Sequence, residues 1–521
     1  MMRCSPRAPL LAAAVACLLS CQRVAGSEAA PPAGTGPVER RPSHVPRAAL
    51  GVNIGEVNYY TPQVAFLDLV KQAADWGLGG NFPQVDERGW PRSLPGGRPV
   101  GFIANSGPGG RFVALWEGDG VVAVTHGGRV IAEKPGRLEV DLEPGSIHVR
   151  IMRSDPSNPV RRLRLVPAEH ERDHEKLVFH PRFVELTRPF GVLRFLDWTR
   201  ILGSKQSRWS DRPTPEDWSQ GTEKGVALEY TLELCNRVQA DCWLNVPHMA
   251  DDEYVTRMAE MVRDRLAPSL KAYVEYSNEI WNFRQQGDWC QKAGESLGFP
   301  REWNTRLRYQ AHRSIEIFRI FERVLGRDRL VRVLAGQMWD RRLAIVAEWE
   351  KAYLHADALA VAPYFGGDLT SDENVSRLRG LDPGAVVERC AEEVEKLRPV
   401  MRSVRAVATR LGLPLIGYEG GQHLVTSDDH HGNEQLQRLL HEANRSPAMG
   451  RVYGKYLDLW REEGGELMML YMLVGSYSKF GRWGLVERMW DPPEAAPKYR
   501  ATVEFLGRQR PWWGPTPGSR P

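Results

Sequence analysis

The chain has 521 residues, enough for one large barrel and a smaller module. Its 69 Lys and Arg against 65 Asp and Glu leave a formal net charge of +4, and the basic residues are dispersed, often beside acids, which excludes the basic stripe of a nucleic-acid-binding protein. Of the 7 cysteines, Cys235, Cys242, Cys290 and Cys390 fall in the folded part with no CxxC pair and no His/Cys cluster at zinc spacing, so structural zinc is not expected, and Cys235 and Cys242 either bridge a helix end to the next strand or stay as buried thiols; no other metal or organic cofactor is expected.

Residues 1–21 read as an export signal. Arg3 and Arg7 precede an apolar run over 8–19 that is too short to span a bilayer as a permanent helix. Leu18, Leu19, Ser20 and Cys21 resemble a bacterial lipobox, which implies a lipid on Cys21 as the first mature residue; the alternative is an ordinary signal cut near Ala25 or Gly26. Gln22 after the cysteine resembles lipoproteins sent to the outer membrane. Residues 22–47 are rich in Pro, Ala, Gly and charge, cannot bury a core, and read as a tether.

Residues 48–89 read as a first barrel unit, a strand within 49–59 and a helix over 63–76. From 90 to 170 the texture changes to short β-branched runs (112–116, 121–125, 138–142, 147–151 and 163–166) separated by Gly, Asp and Pro, which predicts a small β-sandwich inserted after the first barrel strand. Trp90 and Trp116 either fill its core or offer a flat face on which a ligand stacks. The run VRRLRL at 160–165 reads as one alternating strand face.

The barrel resumes at 191–198, GVLRFLDW, where Arg194 on a buried strand demands an anionic partner. Asp197 and Trp198 lie just beyond, on the rim. A third strand over 242–249 is ended by Pro247, leaving Asn245 and His248 near its rim. A helix over 251–266 leads to the fourth strand, AYVEYSNEIWN, whose aromatic and β-branched alternation stops where Asn278 and Glu279 begin, with Trp281 as a flat apolar wall. Glu275 stands four residues before Glu279 and so points to the same side of the strand, where it could pair with Arg194. A polar and aromatic loop is expected over 283–303, a helix over 305–325, strands over 331–337 and 358–364, and a helix over 383–411. Tyr364 would end the sixth strand. The seventh, 415–418, ends in Glu419, and Gly420 and Gly421 turn the chain there. An eighth strand at 466–472 and a helix at 493–506 close the ring, so that the barrel resumes over 171–507 and residues 508–521 form a Pro-rich tail.

Two strands thus each deliver a glutamate, and hydrolysing a glycosidic bond takes two carboxyl groups, one to protonate the leaving oxygen and one to attack or to activate water. The SNE of 277–279 and the YEGG of 418–421 resemble the acid/base and nucleophile motifs of the retaining glycoside hydrolases of clan A. That resemblance implies a (β/α)8 TIM barrel, Glu279 as acid/base, Glu419 as nucleophile, Arg194 holding Glu419, Asn278 on the sugar's 2-hydroxyl, Tyr364 bonded to the nucleophile, and His248 and Asn245 near the sugar. The family's tryptophan at the end of strand eight is missing, so Tyr471 or Trp483 would have to serve as the platform. The expected function is retaining hydrolysis of a poly- or oligosaccharide by an exported, membrane-anchored or secreted protein. The alternatives are a non-catalytic carbohydrate-binding (cellulose-binding) surface lipoprotein and a structural scaffold.

Overall fold

The computed structural model describes residues 49–282 and 284–508; the expected export signal with Cys21, the tether and residues 509–521 of the tail lie outside them. Eight parallel strands close a barrel in chain order: Leu50–Asn53, Val192–Arg194, Asp241–Val246, Ala272–Tyr276, Leu330–Ala335, Ala358–Val361, Leu415–Gly417 and Gly465–Leu470. The last pairs with the first. Because helices cover the outside and side chains fill the lumen, these strands are buried almost without interruption, which is why they read as apolar runs rather than as alternating ones. Register then sets the site: Asn53 and Trp243 both align with Arg194, and Asn245 aligns with Glu275, so the polar residues of four strands share one level of the barrel.

Between the first two barrel strands lie seven antiparallel strands in two sheets. Val100–Asn105, Ser146–Ser154 and Gly120–His126 form one; Gly128–Lys134, Arg137–Leu142, Gly110–Glu117 and Arg161–Pro167 form the other. Two of these seven, Val100–Asn105 and Gly128–Lys134, escape sequence reasoning, the second because its residues are almost all exposed. Trp90 and Trp116 are buried, and Trp90 sits in an aromatic cluster with Trp76 and Trp218.

Two expected elements are corrected. Residues 63–76 do not form a helix beyond the 3-10 turn Leu69–Gln72. Val64, Ala65, Phe66 and Leu67 are buried consecutively, which an amphipathic helix does not allow, and side chains replace helical hydrogen bonds: Gln72 Oε1 accepts from the Ala65 and Phe66 amides, and Asp68 Oδ1 from those of Val70 and Leu165. The helix that precedes strand two is instead Pro181–Thr187, after the inserted sheets. Conversely, the expected loop over 283–303 contains the helix Arg284–Ser296. Its buried stripe is Gln286, Gly287, Cys290 and Gly294, too small and polar to show hydrophobic periodicity. A Cβ at Gly287 would strike the Ile280 carbonyl, and one at Gly294 would lie 2.7 Å from Thr305 Cγ2, so the glycines are what allow this helix to sit so close to its neighbours.

Candidate active site

Arg194 is the centre of the site and is fully buried. A guanidinium has five N–H donors, and the barrel meets all of them. Nε and Nη2 donate to Glu275 Oε2 at 3.0 and 2.9 Å, Nη2 also to Asn278 Oδ1 at 2.8 Å, and Nη1 to Asn53 Oδ1 at 2.9 Å and Glu419 Oε1 at 2.8 Å. Burial pulls the Arg194 pKa down, but the charges of Glu275 and Glu419 outweigh it and leave it raised. Glu275 is tied in turn by Trp243 Nε1 at 2.8 Å and Asn245 Nδ2 at 2.9 Å. Asn53 anchors to the carbonyls of Tyr418 and Leu470 at 3.2 and 3.3 Å, locking strand one to strands seven and eight at this level.

Glu419 follows strand seven and is nearly buried. Its Oε1 takes the Arg194 donor, and Oε2 accepts from the Tyr364 hydroxyl at 2.9 Å. Tyr364 does not end strand six, which stops at Val361; proline at 363 interrupts the ladder, and Tyr364–Phe365 starts a separate two-stranded sheet against Gly421–Gln422. That small sheet is what carries the phenol to the carboxylate. A Cβ at Gly420 would run into the Tyr456 hydroxyl, and Gly421 has φ of 130°, so the double glycine is required for this close turn.

Glu279 emerges where strand four has ended at Tyr276, between left-handed backbone at Ser277 (φ 54°) and its own φ of 39°. Such φ values are uncommon for side-chain-bearing residues and cluster at functional sites. Oε1 accepts from the Tyr418 hydroxyl at 2.5 Å and Oε2 from Asn282 Nδ2 at 3.0 Å. Burial first, and then the neighbouring Glu419 charge, push the Glu279 carboxyl up to about 7, against the pull of both hydrogen bonds and of Arg194. The dipeptide Tyr418-Glu419 therefore reaches both glutamates from one strand end.

A third acid stands close by. Asp197 Oδ2 accepts from the Tyr471 hydroxyl at 2.8 Å, and burial, helped by the charges of Glu419 and Glu56, raises its carboxyl to about 7. The Tyr471 ring lies 5.7 Å from Trp483 and 6.5 Å from Tyr364, and His423 stands 5.3 Å from Tyr364 and 6.0 Å from Trp483, an aromatic box beside Glu419. His423 is held neutral, its pKa lowered to about 4 by burial.

The structure brings Glu419, Asn278, Arg194 and Tyr364 into one bonded network, joins Glu279 to it through Tyr418, whose ring lies under the Arg194 guanidinium, and sets Trp483 at its aromatic flank. Trp281 is buried beside the turn that carries Glu279. His248 is 1% exposed, its pKa is pushed down to about 4 by burial, and its ring packs edge-on at 5.6 Å against Trp289 of Arg284–Ser296, the helix the sequence did not announce. Asn245 supports Glu275 and the Ser277 carbonyl rather than facing a sugar. Sequence reasoning missed Asn53, Asn282 and the Tyr418 hydroxyl; a polar residue closing the apolar run LGVN was the only signal for the first. Among the described residues no group of three or more His, Cys, Asp or Glu is placed to hold a metal, and Cys235, Cys242, Cys290 and Cys390 are free and buried.

No protein-family model matches the chain, and no curated protein does. Solved structures match at low similarity. The fold is what they share. A GH51 arabinofuranosidase from Xanthomonas axonopodis pv. citri is 12% identical with a TM-score of 0.38, over 57% of this chain and 61% of that one. A 4-O-α-L-rhamnosyl-β-D-glucuronidase from Fusarium oxysporum 12S is 10% identical with a TM-score of 0.38, over 63% and 65%. A Bacteroidetes-affiliated GH5 cellulase is 10% identical with a TM-score of 0.39, over 64% and 88%. The chain spans less than two thirds of the length of the first two. Likeness at this level concerns barrel architecture, so the chemistry has to be argued from the side chains of this chain.

Proposed function

We propose that the protein is a glycoside hydrolase that cleaves a poly- or oligosaccharide with retention of anomeric configuration. The observation that carries this reading is the asymmetry of the two strand-end glutamates: Glu279 is poised near pH 7 by burial and by the Glu419 charge, while Glu419 is held by Arg194 and Tyr364. In the first step Glu279 gives its proton to the leaving oxygen as the Glu419 carboxylate attacks the anomeric carbon, forming a glycosyl ester and releasing the leaving sugar as an alcohol. Esterification removes the Glu419 charge, and with it one of the two forces that raise Glu279. Its pKa thereby falls, so Glu279 stays ionised after giving up its proton and is free to take one from the water that hydrolyses the ester. Asn278 has its amide oxygen committed to Arg194, which leaves its NH2 group for the sugar's 2-hydroxyl. Asp197, beside Tyr471, offers a further acceptor to sugar hydroxyls.

The test is a screen of plant and microbial polysaccharides with wild type, Glu279→Gln and Glu419→Gln, with the anomer of the first product read by NMR. Retention is expected, with a carboxyl separation of about 5–5.5 Å in a ligand-bound crystal structure; inversion, or equal cleavage by both variants, overturns the assignment. Binding of a glycan unaffected by either variant and without cleavage would favour the non-catalytic binder. We also propose export as a lipoprotein anchored through Cys21. Metabolic labelling with radioactive palmitate should mark wild type and fail on Cys21→Ala; label retained by that variant rules the anchor out.

A further inference from the structure

Two tryptophans stand in the open on the rim next to strand four. Trp303 precedes the helix Thr305–Leu325, which runs down to the start of strand five, and Trp339 precedes the helix Asp340–Glu348, just after strand five ends at Ala335. Both therefore lie on the face formed by the carboxyl ends of the barrel strands, the face that bears Glu279 and Glu419. Tryptophan is rarely left this uncovered, yet Trp303 is 40% and Trp339 43% exposed. Neither is loose. The Arg342 guanidinium stands 4.1 Å from the Trp303 ring centre and 4.6 Å from that of Trp339, and Arg306 stands 5.4 Å from Trp303. Arg342 is itself fixed by Gln337 Oε1 at 2.6 Å.

This stack adjoins the acid end of the site. The Ile280 carbonyl, one residue after Glu279, and the Arg306 guanidinium both crowd against the buried Gly287, so a line of packed contacts joins the turn that carries Glu279 to Trp303. A rigid, exposed aromatic face beside a guanidinium suits one surface of a pyranose, whose axial C–H groups lie against the ring while its hydroxyls meet N–H donors. Both tryptophans cost little entropy on binding because Arg342 already orders them.

We propose that Trp303, Arg342 and Trp339 form a binding platform for sugar rings on the leaving-group side, so that the substrate is a glycan chain extending beyond the leaving sugar. The proposal rests on the reading of Glu279 as acid for its choice of side, but the platform itself is a binding site and is tested without turnover. In the Glu419→Gln background, affinity electrophoresis would be run through gels containing mixed-linkage β-glucan, xyloglucan, galactomannan, xylan or linear arabinan. At least one polymer should retard the protein. Trp303→Ala and Trp339→Ala should each weaken that retardation roughly tenfold in Kd, as truncation of an aromatic anchor does, and Trp339→Phe should restore most of it. Leu354→Ala, which trims an exposed apolar side chain just before strand six begins and so on the opposite face of the barrel, should change nothing. Retardation by none of the polymers, or equal retardation of the parent and both alanine variants, overturns the platform. Should Glu279 prove not to be the acid, retardation lost in the tryptophan variants would still stand as binding.

Discussion

The ends of strands four and seven carry the same residue type and treat it in opposite ways. At strand four, Glu279 takes its hydrogen bonds from neutral groups, the Tyr418 phenol and the Asn282 amide, and faces a negative charge. At strand seven, Glu419 takes one of its bonds from a guanidinium. The lesson is that identity does not set the role of a carboxyl group; the charge of its donors does. Arg194 is the hinge of the difference, because it lends one donor to Glu419 and spends two others on Glu275, a carboxylate with no path to solvent.

Removing that cation should have the largest effect. Arg194→Met leaves Glu275 and Glu419 as uncompensated buried charges, and a loss of about 3–5 kcal/mol is expected in urea-induced unfolding. A loss under about 1 kcal/mol would mean that Arg194 does not hold the two acids. Next, Glu419→Gln should cut turnover by on the order of 10³-fold or more and, in the same molecule, let the Glu279 pKa fall from about 7 towards the ordinary carboxyl range, followed by carbon-13 NMR of the labelled carboxyl. An unmoved Glu279 would break the link between the two strand ends.

Tyr364→Phe removes one donor from Glu419 and leaves Glu279 untouched. A fall in kcat of roughly 10- to 100-fold is expected, the worth of one hydrogen bond to a charged group, with the pH profile in place. A shifted profile would mean that Tyr364 acts on the acid as well. The smallest effects concern pH. The general acid must hold its proton, so kcat/KM should decline as pH rises through about 7. The folded state holds the Glu279 proton more tightly than the unfolded state, so the stabilisation it gives is complete at low pH and is lost as pH climbs from the ordinary carboxyl range to about 7. Glu279→Gln should lack that decline and melt at a higher temperature than wild type at pH 8, with the gap closing at pH 4. A gap independent of pH would assign it to packing instead.

The barrel was legible because buried parallel strands write themselves as apolar runs and the helices between them as amphipathic ones. Where the chain solved its burial differently, the pattern was misleading. Residues 63–76 look amphipathic but are buried on all sides over 64–67, and Arg284–Ser296 hides its inner face behind Gly287, Cys290 and Gly294. That second error had a consequence at the site, for the unseen helix is the one that covers His248. Tyr364 was placed at the right carboxylate through resemblance, while the route by which it arrives, a two-stranded sheet beginning after proline 363, could not be read from a run of seven residues.

Taken alone, the amino-acid order determined that two acids end two apolar runs and that a cation lies inside a third, since strand ends are written locally in hydrophobicity and turn residues. Only closure of the ring decided who bonds whom: that Tyr418 serves Glu279 and not its own neighbour Glu419, that Asn53 completes the shell of Arg194, and that Asp197 meets Tyr471. Those partners are separated by 139, 141 and 274 positions, and register between distant strands, which no local pattern encodes, brings them within hydrogen-bonding distance.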